Sequence, residues 1–562
     1  MTSGAETLTE LLVAYKATTI FGVPGGQTLS LYDSIAGHAP KIRHVLVRDE
    51  KAGGFMAVGF SRISYHPGLC DATVGPGAAN LLPAVAEAFT GSVAMVAITS
   101  NVTTNSMGKG ASQELDHYAL FRPFVKTSLR PKNVDDIPQT VTQAFKAATT
   151  GRPGPVHLDL PQDLLEGTTE NVPSYQAAEE YAMYPSIRPR APTSSILNAR
   201  DLILSSSRPI ILAGGGAVLS QAWDEVKTLA ELMGIPIVTT LTGKGVIDEN
   251  HPLSLGCVGR QGYRPSANTA LKEADLVLAL GTKLGQVATN NWTLIDESSK
   301  IIHVDIDPAE TRKVYKEELA IVADIQSTLQ DLIESLSKNQ NTHETPWLQK
   351  VRRLREEWNK MNQSSGHKLS AAIVFKEITK ALPTKSVLVT SGSFTGAFSG
   401  CFYNVRLPGP RFIAARGLGG TETALPLSIG AAVGVQDKSK VMAVTGDGGF
   451  GYHIAELETA RRLKLALPVI VLNNRSLAWM KILQKERYGS KYVSSSYLHD
   501  LNYAKIAHAF GCESTTVERV SELREAIFQA VKSDEVFVVE IMIDPNECSS
   551  THLKGDLLFK GH

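Results

Sequence analysis

Short apolar runs rich in β-branched residues recur along the whole chain and alternate with amphipathic helical stretches. They include HVLV (His44–Val47), VAMVAITS (Val93–Ser100), VHLDLP (Val156–Pro161) and PIILAGGG (Pro209–Gly216). Further along come IPIVTT, ADLVLALG, KIIHVDID, SVLVTSG, KVMAVTGD, LPVIVLNN and VFVVEIMID. A strand with one wet face alternates apolar with polar residues. These runs are apolar on both faces, so helices must cover both sides of the sheets they build. Parallel strands also need a long crossover, which the intervening helices supply. The class is therefore α/β, with doubly wound parallel sheets. At 562 residues the chain is long enough for about three domains of ~150 residues each.

Two stretches break the rhythm. Residues 170–195 are rich in Pro, Ser and Tyr and read as a linker, and residues 337–367 read as a polar surface helix with loops. These cuts give three α/β units, 1–170, 190–336 and 368–548, and a tail at 549–562. Hydrophobic residues make up 43 % of the chain, enough for a sizeable core. Lys plus Arg and Asp plus Glu both number 56, which removes the net positive charge that attracts nucleic acid or an acidic membrane. Cys70, Cys257, Cys401, Cys512 and Cys548 lie far apart with no metal spacing, as free thiols in a reducing compartment do. The N-terminal stretch has acidic residues where a signal peptide needs basic ones, and no apolar run reaches the ~18 residues of a membrane span. These features predict a cytoplasmic protein with no nucleic-acid or membrane partner.

Residues Thr73–Asn101 run from a strand end through a glycine turn, a helix and a strand to a polar end, and Val444–Asn474 has the same order. The likeness hints at two related domains that face each other. In the later stretch GDGGFG (Gly446–Gly451) follows a strand and opens a helix, the context in which a pyrophosphate rests on a helix N-terminus. Asp447 would repel a bare pyrophosphate. A divalent cation between them removes the repulsion, and Mg²⁺ takes about six oxygens, usually one or two carboxylates plus phosphate oxygens. Asn473 and Asn474 end the next strand, and adjacent strand ends share a ligand crevice. Asp447, the Asn474 amide oxygen and a backbone carbonyl near Ser476 thus form a candidate metal set. A Rossmann dinucleotide turn and a plain glycine turn with an Asx cap are the competing readings.

GDG, a helix and a strand, then NN is the pattern of thiamine-diphosphate-dependent enzymes, which this chain resembles over nearly its whole length. FGVPGG (Phe21–Gly26), GPGAAN (Gly75–Asn80), GRPGPVHLDLP (Gly151–Pro161), HVDIDP (His303–Pro308) and ALPLSIGAAVG (Ala424–Gly434) are similar to the acetohydroxyacid synthase and pyruvate oxidase branch. The resemblance implies pyrimidine-binding, central and diphosphate-binding domains, with thiamine diphosphate and Mg²⁺ as cofactors. It implies Glu50 as the glutamate that bonds the pyrimidine and promotes proton removal from C2. An ordinary helix-start glutamate favoured by the dipole is the other reading of Glu50. Gln113 matches a glutamine near the thiazolium and the acyl acceptor. By the same resemblance Gly25, Pro76 and Asn80 belong to the pyrimidine side. Gly392, Ser393, Gly419, Gly448 and Gly449 belong to the diphosphate side, and Asp447, Asn474 and Ser476 to the metal. One subunit's pyrimidine domain meets another's diphosphate domain in this family, which implies a homodimer or tetramer.

The chain also departs from the family pattern. It has Asp49–Glu50 where relatives have His-Glu, and Ser112 where they have Phe. Thr421, followed by Glu422, stands where a large apolar residue bends the cofactor. In the central domain Gly214, Gly215, Thr240 and Asp305 keep a nucleotide-site pattern, but GTKLGQVATNNW (Gly281–Trp292) lacks the arginine set that holds FAD in the synthases. FAD, ADP and an empty domain all stay open. Leu483 stands at the position of the synthases' tryptophan, with Trp479 earlier, and the paired histidines of simple pyruvate decarboxylases are not evident. The leading expectation is an acetolactate-synthase-like carboligase that decarboxylates a 2-oxo acid, such as pyruvate, and passes the acyl anion to a carbonyl acceptor. A 2-oxo acid decarboxylase, a 2-hydroxyacyl-CoA lyase, a cyclic-diketone hydrolase and a non-catalytic cofactor-binding member are the alternatives.

Overall fold

The computed structural model describes residues 1–170, 178–260, 263–338, 344–363, 369–436, 439–489, 491–498 and 500–544. Cys548, the tail 549–562 and part of each break in the sequence rhythm lie outside the described residues.

Three six-stranded sheets are parallel throughout. The first runs Arg43–Leu46, Thr19–Gly22, Gly68–Ala72, Met95–Asn101, Pro155–Pro161, Ser128–Leu129, which is 2-1-3-4-6-5 in chain order. The third runs Phe412–Ala414, Val387–Thr390, Val441–Gly446, Pro468–Asn473, Phe537–Met542, Glu513–Val517, again 2-1-3-4-6-5. The likeness between the first and third units is thus one of topology. The central sheet runs Ser254–Cys257, Ile237–Thr239, Pro209–Ala213, Leu276–Leu280, Lys300–Asp305, Leu319–Val322. Its chain order, 3-2-1-4-5-6, is that of dinucleotide-binding sheets. A short antiparallel pair, Thr2↔Thr169 and Ser3↔Thr168, ties the chain's start to the end of the first unit.

The first and third units meet through the helices Glu50–Ser64 and Ala424–Gly434. Glycine sets their approach: a Cβ at Gly59 would lie 2.0 Å from Leu427 O, and one at Gly430 1.8 Å from Met56 O. Phe55, Met56, Leu425, Leu427 and Ile429 belong to one buried cluster that spans both units. Beside it, Arg48 N–H donates to Glu456 Oε1 at 3.0 Å, and the Thr459 hydroxyl donates to Oε2 at 2.6 Å. Burial pushes the Glu456 carboxyl up to about 7.

The polar stretch expected to form a surface helix holds the helix Pro346–Gln363, but one face of it is buried. Trp347, Val351 and Trp358 recur at helical spacing and are 4 %, 2 % and 7 % exposed. Trp347 Nε1–H donates to Pro209 O at 3.0 Å on the central sheet, whereas Trp358 packs against Phe402 in the third unit. The charged residues that dominate the composition cover the opposite face. The same two units also share a buried ion group. Lys244 Nζ donates to both Glu249 oxygens (2.8 and 2.7 Å) and to Tyr403 O (2.9 Å), and Val405 N–H donates to Glu249. Such a pair costs desolvation, which these further hydrogen bonds offset. Cys70, Cys257, Cys401 and Cys512 are buried free thiols. Among the described residues no helix is long and apolar enough to cross a membrane.

Two outcomes follow from the helix interface. Gly430→Ala gains helix propensity of ~1 kcal/mol, but the new carbon meets a main-chain oxygen that no rotamer change can move. The clash dominates, and a loss of about 1–3 kcal/mol is expected, read as a lower urea midpoint. The second concerns pH. Between 4.5 and about 7 the folded chain keeps a proton on Glu456 that the unfolded chain has released, so this group lowers stability as pH rises through that window. Glu456→Gln stays neutral, and its melting temperature relative to the parent should be higher at about pH 8 than at about pH 5.

Candidate active site

In an open parallel sheet, ligands bind outside the carboxyl ends of the strands where the strand order reverses. In the third sheet this point lies between Val387–Thr390 and Val441–Gly446, and in the first between Thr19–Gly22 and Gly68–Ala72. The sequence-predicted residues of the outer units gather at these two crevices.

In the third unit Asp447 opens the helix Asp447–Tyr452 and is 3 % exposed. Its Oδ1 accepts from Gly448 N–H at 2.8 Å, and its Oδ2 from Ser476 N–H at 3.1 Å. The Asn474 Oδ1 accepts from the same Ser476 N–H at 3.1 Å and from its hydroxyl at 3.2 Å. Two hard oxygens from adjacent strand ends thus converge. Burial pushes the Asp447 carboxyl up to about 6, although the N–H groups of Gly448, Ser476 and Arg475 pull it down. Burial thus outweighs the three main-chain donors at this carboxyl. Carboxylate and amide oxygens also match the donor set that Mg²⁺ takes from proteins.

The neighbouring turns press on this one. Gly392 N–H donates to Gly420 O at 3.0 Å, and a Cβ at Gly392 would lie 2.2 Å from Gly419 O. Ser393 follows at φ +62, and Gly419, at φ +81, faces open space. A Cβ at Gly449 would lie 2.3 Å from Thr421 O, so Thr421 meets the glycine turn with its backbone. A Cβ at Gly448 would lie 2.7 Å from the Tyr497 hydroxyl. Sequence reasoning missed Tyr497, which carries no local signal. It also missed Glu540, whose carboxylate holds Asn473 Nδ2–H at 2.7 Å and fixes the strand end. A lone acid inside the apolar run VFVVEIM was the available sign.

In the first unit Glu50 begins its helix, and its Oε2 accepts from Asn80 Nδ2–H at 3.1 Å. Asp49 caps the same helix by accepting from Lys51 N–H at 2.7 Å, which gives the residue that replaces histidine a local role. Gly77 approaches Glu50 closely, since a Cβ there would lie 3.2 Å from Oε1. Pro76, at the first turn of Pro76–Gly91, is exposed, as is Asn80. Gly25 packs on Thr73, whose hydroxyl donates to Gln27, a residue without a prior signal. Gln113 has φ +62 and sets its carbonyl against Gly75, itself at φ +68, while Gln113 as a whole is exposed. Gly75 N–H donates to His117 Nε2 at 3.2 Å. His117, His157 and Asp159 form a buried group with metal-like spacing. Thr99 bonds both histidines at 3.0 and 2.8 Å, and Arg130 Nε holds Asp159 at 2.7 Å, so this group braces the Gly75 turn.

A third opening lies where all three units meet, a cavity of about 360 Å³. Gly215, Thr240 and Asp305 line it, and burial raises the Asp305 carboxyl. Gly214 instead packs strand end on strand end, since a Cβ there would lie 2.2 Å from Gly281 O. Arg62, Arg152, Lys283 and Arg416 reach the wall. Lys283 comes from the segment that lacks the synthase arginines, and it donates to Thr90 O at 2.6 Å. The cavity sits at the switch point between Pro209–Ala213 and Leu276–Leu280, where a dinucleotide-binding sheet takes its ligand.

Comparison with known proteins agrees with this geometry. Family models for the N-terminal TPP binding domain, the central domain and the C-terminal TPP binding domain of thiamine pyrophosphate enzymes match residues 2–120, 196–332 and 390–541. A probable acetolactate synthase large subunit of Methanococcus aeolicus is 34 % identical over 98 % of this chain and 93 % of its own length. The probable acetolactate synthase large subunit of Methanocaldococcus jannaschii is 33 % identical over 97 % and 92 %. The Escherichia coli acetolactate synthase isozyme 1 large subunit is 30 % identical over 97 % and 94 %. With both crevices at the same switch point of twin sheets and matches of this extent, the chain belongs to the thiamine pyrophosphate enzyme family and is an acetolactate-synthase-like member of it.

Proposed function

We propose that the two outer crevices serve one thiamine diphosphate, and that the chain decarboxylates pyruvate and transfers the acyl unit to a carbonyl acceptor. The observation that carries this reading is the convergence of Asp447 Oδ2 and Asn474 Oδ1 on the Ser476 N–H, at 3.1 Å each. Asp447, Asn474 and a carbonyl at Ser476 would hold Mg²⁺, which would neutralise the charge between the carboxylate and two phosphoryl groups. Gly448 and Gly449 offer main-chain N–H groups at a helix start, and Gly392, Ser393 and Gly419 close the cradle. Thiamine diphosphate, when bound, supplies a carbanion and then an electron sink for the loss of CO2.

Glu50 holds and moves a proton on Oε1, the oxygen that Asn80 leaves free. Gly25 and Pro76 shape the pocket beside it, and exposed Gln113 is available to the acyl acceptor. Thr421 contributes its backbone, set against Gly449. Glu50 and Asp447 are organised in separate units, and a second copy of the chain completes each site, as a dimer or tetramer. Exposed Leu29, Leu418 and Tyr452 follow or flank the crevice turns and give such a contact apolar area. If the central cavity is filled, FAD or ADP would be held there by Asp305 and by the cations Arg62, Arg152, Lys283 and Arg416 that line it; an empty cavity is the alternative. Carboligation is redox-neutral overall, so a flavin there would support the fold rather than carry electrons. The buried free thiols support a cytoplasmic setting.

Thiamine diphosphate binding by tryptophan quenching, followed alongside CO2 release from pyruvate, tests the assignment. Asp447→Asn, or EDTA on the parent, should abolish binding. Glu50→Gln should keep binding and lower CO2 release by roughly 10²–10⁴-fold; unchanged turnover would take Glu50 out of the mechanism. Free aldehyde instead of a carboligated product would point to a simple decarboxylase. Separately, the pure protein should show visible flavin absorption if FAD fills the central cavity; a colourless protein that releases adenine nucleotide on denaturation would assign ADP.

A further inference from the structure

We propose that Glu87 is a positioning residue for the diphosphate crevice, holding the strap Gly417–Thr421 that roofs it. The role rests on the thiamine-diphosphate reading above. Glu87 lies toward the C-terminal end of the helix Pro76–Gly91 of the first unit and is 2 % exposed. Its carboxylate accepts three successive main-chain N–H groups of the third unit: Gly417 at 2.8 Å, Leu418 at 2.6 Å and Gly419 at 3.2 Å. Consecutive N–H groups aimed at one anion form a nest, and bonds to an ionised acceptor are the stronger kind. A carboxylate toward the C-terminal end of a helix gains nothing from the helix dipole, so helix formation does not account for an acid there.

The contact is close on both sides. A Cβ at Gly417 would lie 2.4 Å from the Thr90 hydroxyl and 2.9 Å from the Glu87 carboxyl carbon. Arg62 Nη2–H donates to Gly91 O at 3.0 Å, and a Cβ at Gly91 would lie 3.0 Å from that nitrogen and 3.6 Å from Glu87 Oε1. A half-buried guanidinium therefore flanks the carboxylate. From its anchored end the strap runs straight into the crevice. Gly420 O accepts from Gly392 N–H, and Thr421 O abuts Gly449. Gly392 and Gly449, two of the four glycines assigned above to the diphosphate, rest on a strap that Glu87 fixes, and Glu87 itself acts only through that strap.

The test uses the full chain. In Glu87→Gln an amide NH₂ faces donors that a carboxylate oxygen accepted. Amide hydrogen exchange at 417–419 should then speed up in cofactor-free protein. The apparent Kd for thiamine diphosphate with Mg²⁺ should rise about tenfold or more. The kcat should fall while the KM for pyruvate stays within about twofold, and Glu87→Asp, which keeps the charge, should recover part of the protection. A Glu87→Gln protein with native near-ultraviolet circular dichroism, parental exchange and parental affinity overturns the proposal. Should that variant not fold, Leu418→Pro breaks the contact from the other side. It deletes the N–H of the 2.6 Å bond, and Leu418 is 60 % exposed. Weakened binding there with the parental oligomeric state supports the role, and either parental binding or a weakening that Leu418→Ala, which keeps the N–H, reproduces in full overturns it. A parental chain that binds no thiamine diphosphate removes the crevice reading and this role together; parental binding with an indifferent Glu87→Gln removes the role alone.

Discussion

Backbone-to-backbone contact between the helices Glu50–Ser64 and Ala424–Gly434 fixes how the outer units sit. Gly59 lies against Leu427 O and Gly430 against Met56 O, at distances that leave no room for a methyl group. The helix that begins with Glu50 is thereby locked to the helix that follows Thr421. A larger residue at either glycine would push the units apart before any side chain of the crevices changed. Interiors packed this closely transmit displacement rather than absorb it.

The second recurring device is the buried carboxylate held by main-chain N–H groups. Asp447 takes them from Gly448 and Ser476, Glu540 from Tyr503 and Ala504, and Glu87 from the strap. Glu456 takes one from Arg48 across the unit boundary. Each anion fixes a loop at a strand end without a lysine or arginine in the bond itself. Glu540 and Glu87 brace turns from behind. At Asp447 and at Glu456 burial outweighs the donors and leaves the carboxyl raised.

How much of this was legible depended on locality. Inner strands such as Pro468–Asn473 were readable because both faces are buried and the run is apolar throughout. Edge strands such as Glu513–Val517 and Ser128–Leu129 were not, being half wet or only two residues long. The inner strand Thr19–Gly22 escaped notice because only Ile20 and Phe21 in it are large and apolar, between a threonine and a glycine. Asp447 stood out because an acid in a phosphate-type turn needs explaining. Glu50 was visible only through family resemblance, since a glutamate at a helix start is otherwise ordinary. Glu87 could not be read at all, because its partners lie about 330 residues away. The helix Pro346–Gln363 misled for a different reason: its charges outnumber the few aromatic residues that decide its burial.

That helix has a consequence of its own. Its two indoles sit in different cores, Trp347 against the central sheet and Trp358 beside Phe402. The helix is therefore a cross-tie, and hinging one unit away from the other must draw at least one ring out into water. The two rings are built-in optical reporters, and a shift in their emission would register domain parting before either core had melted.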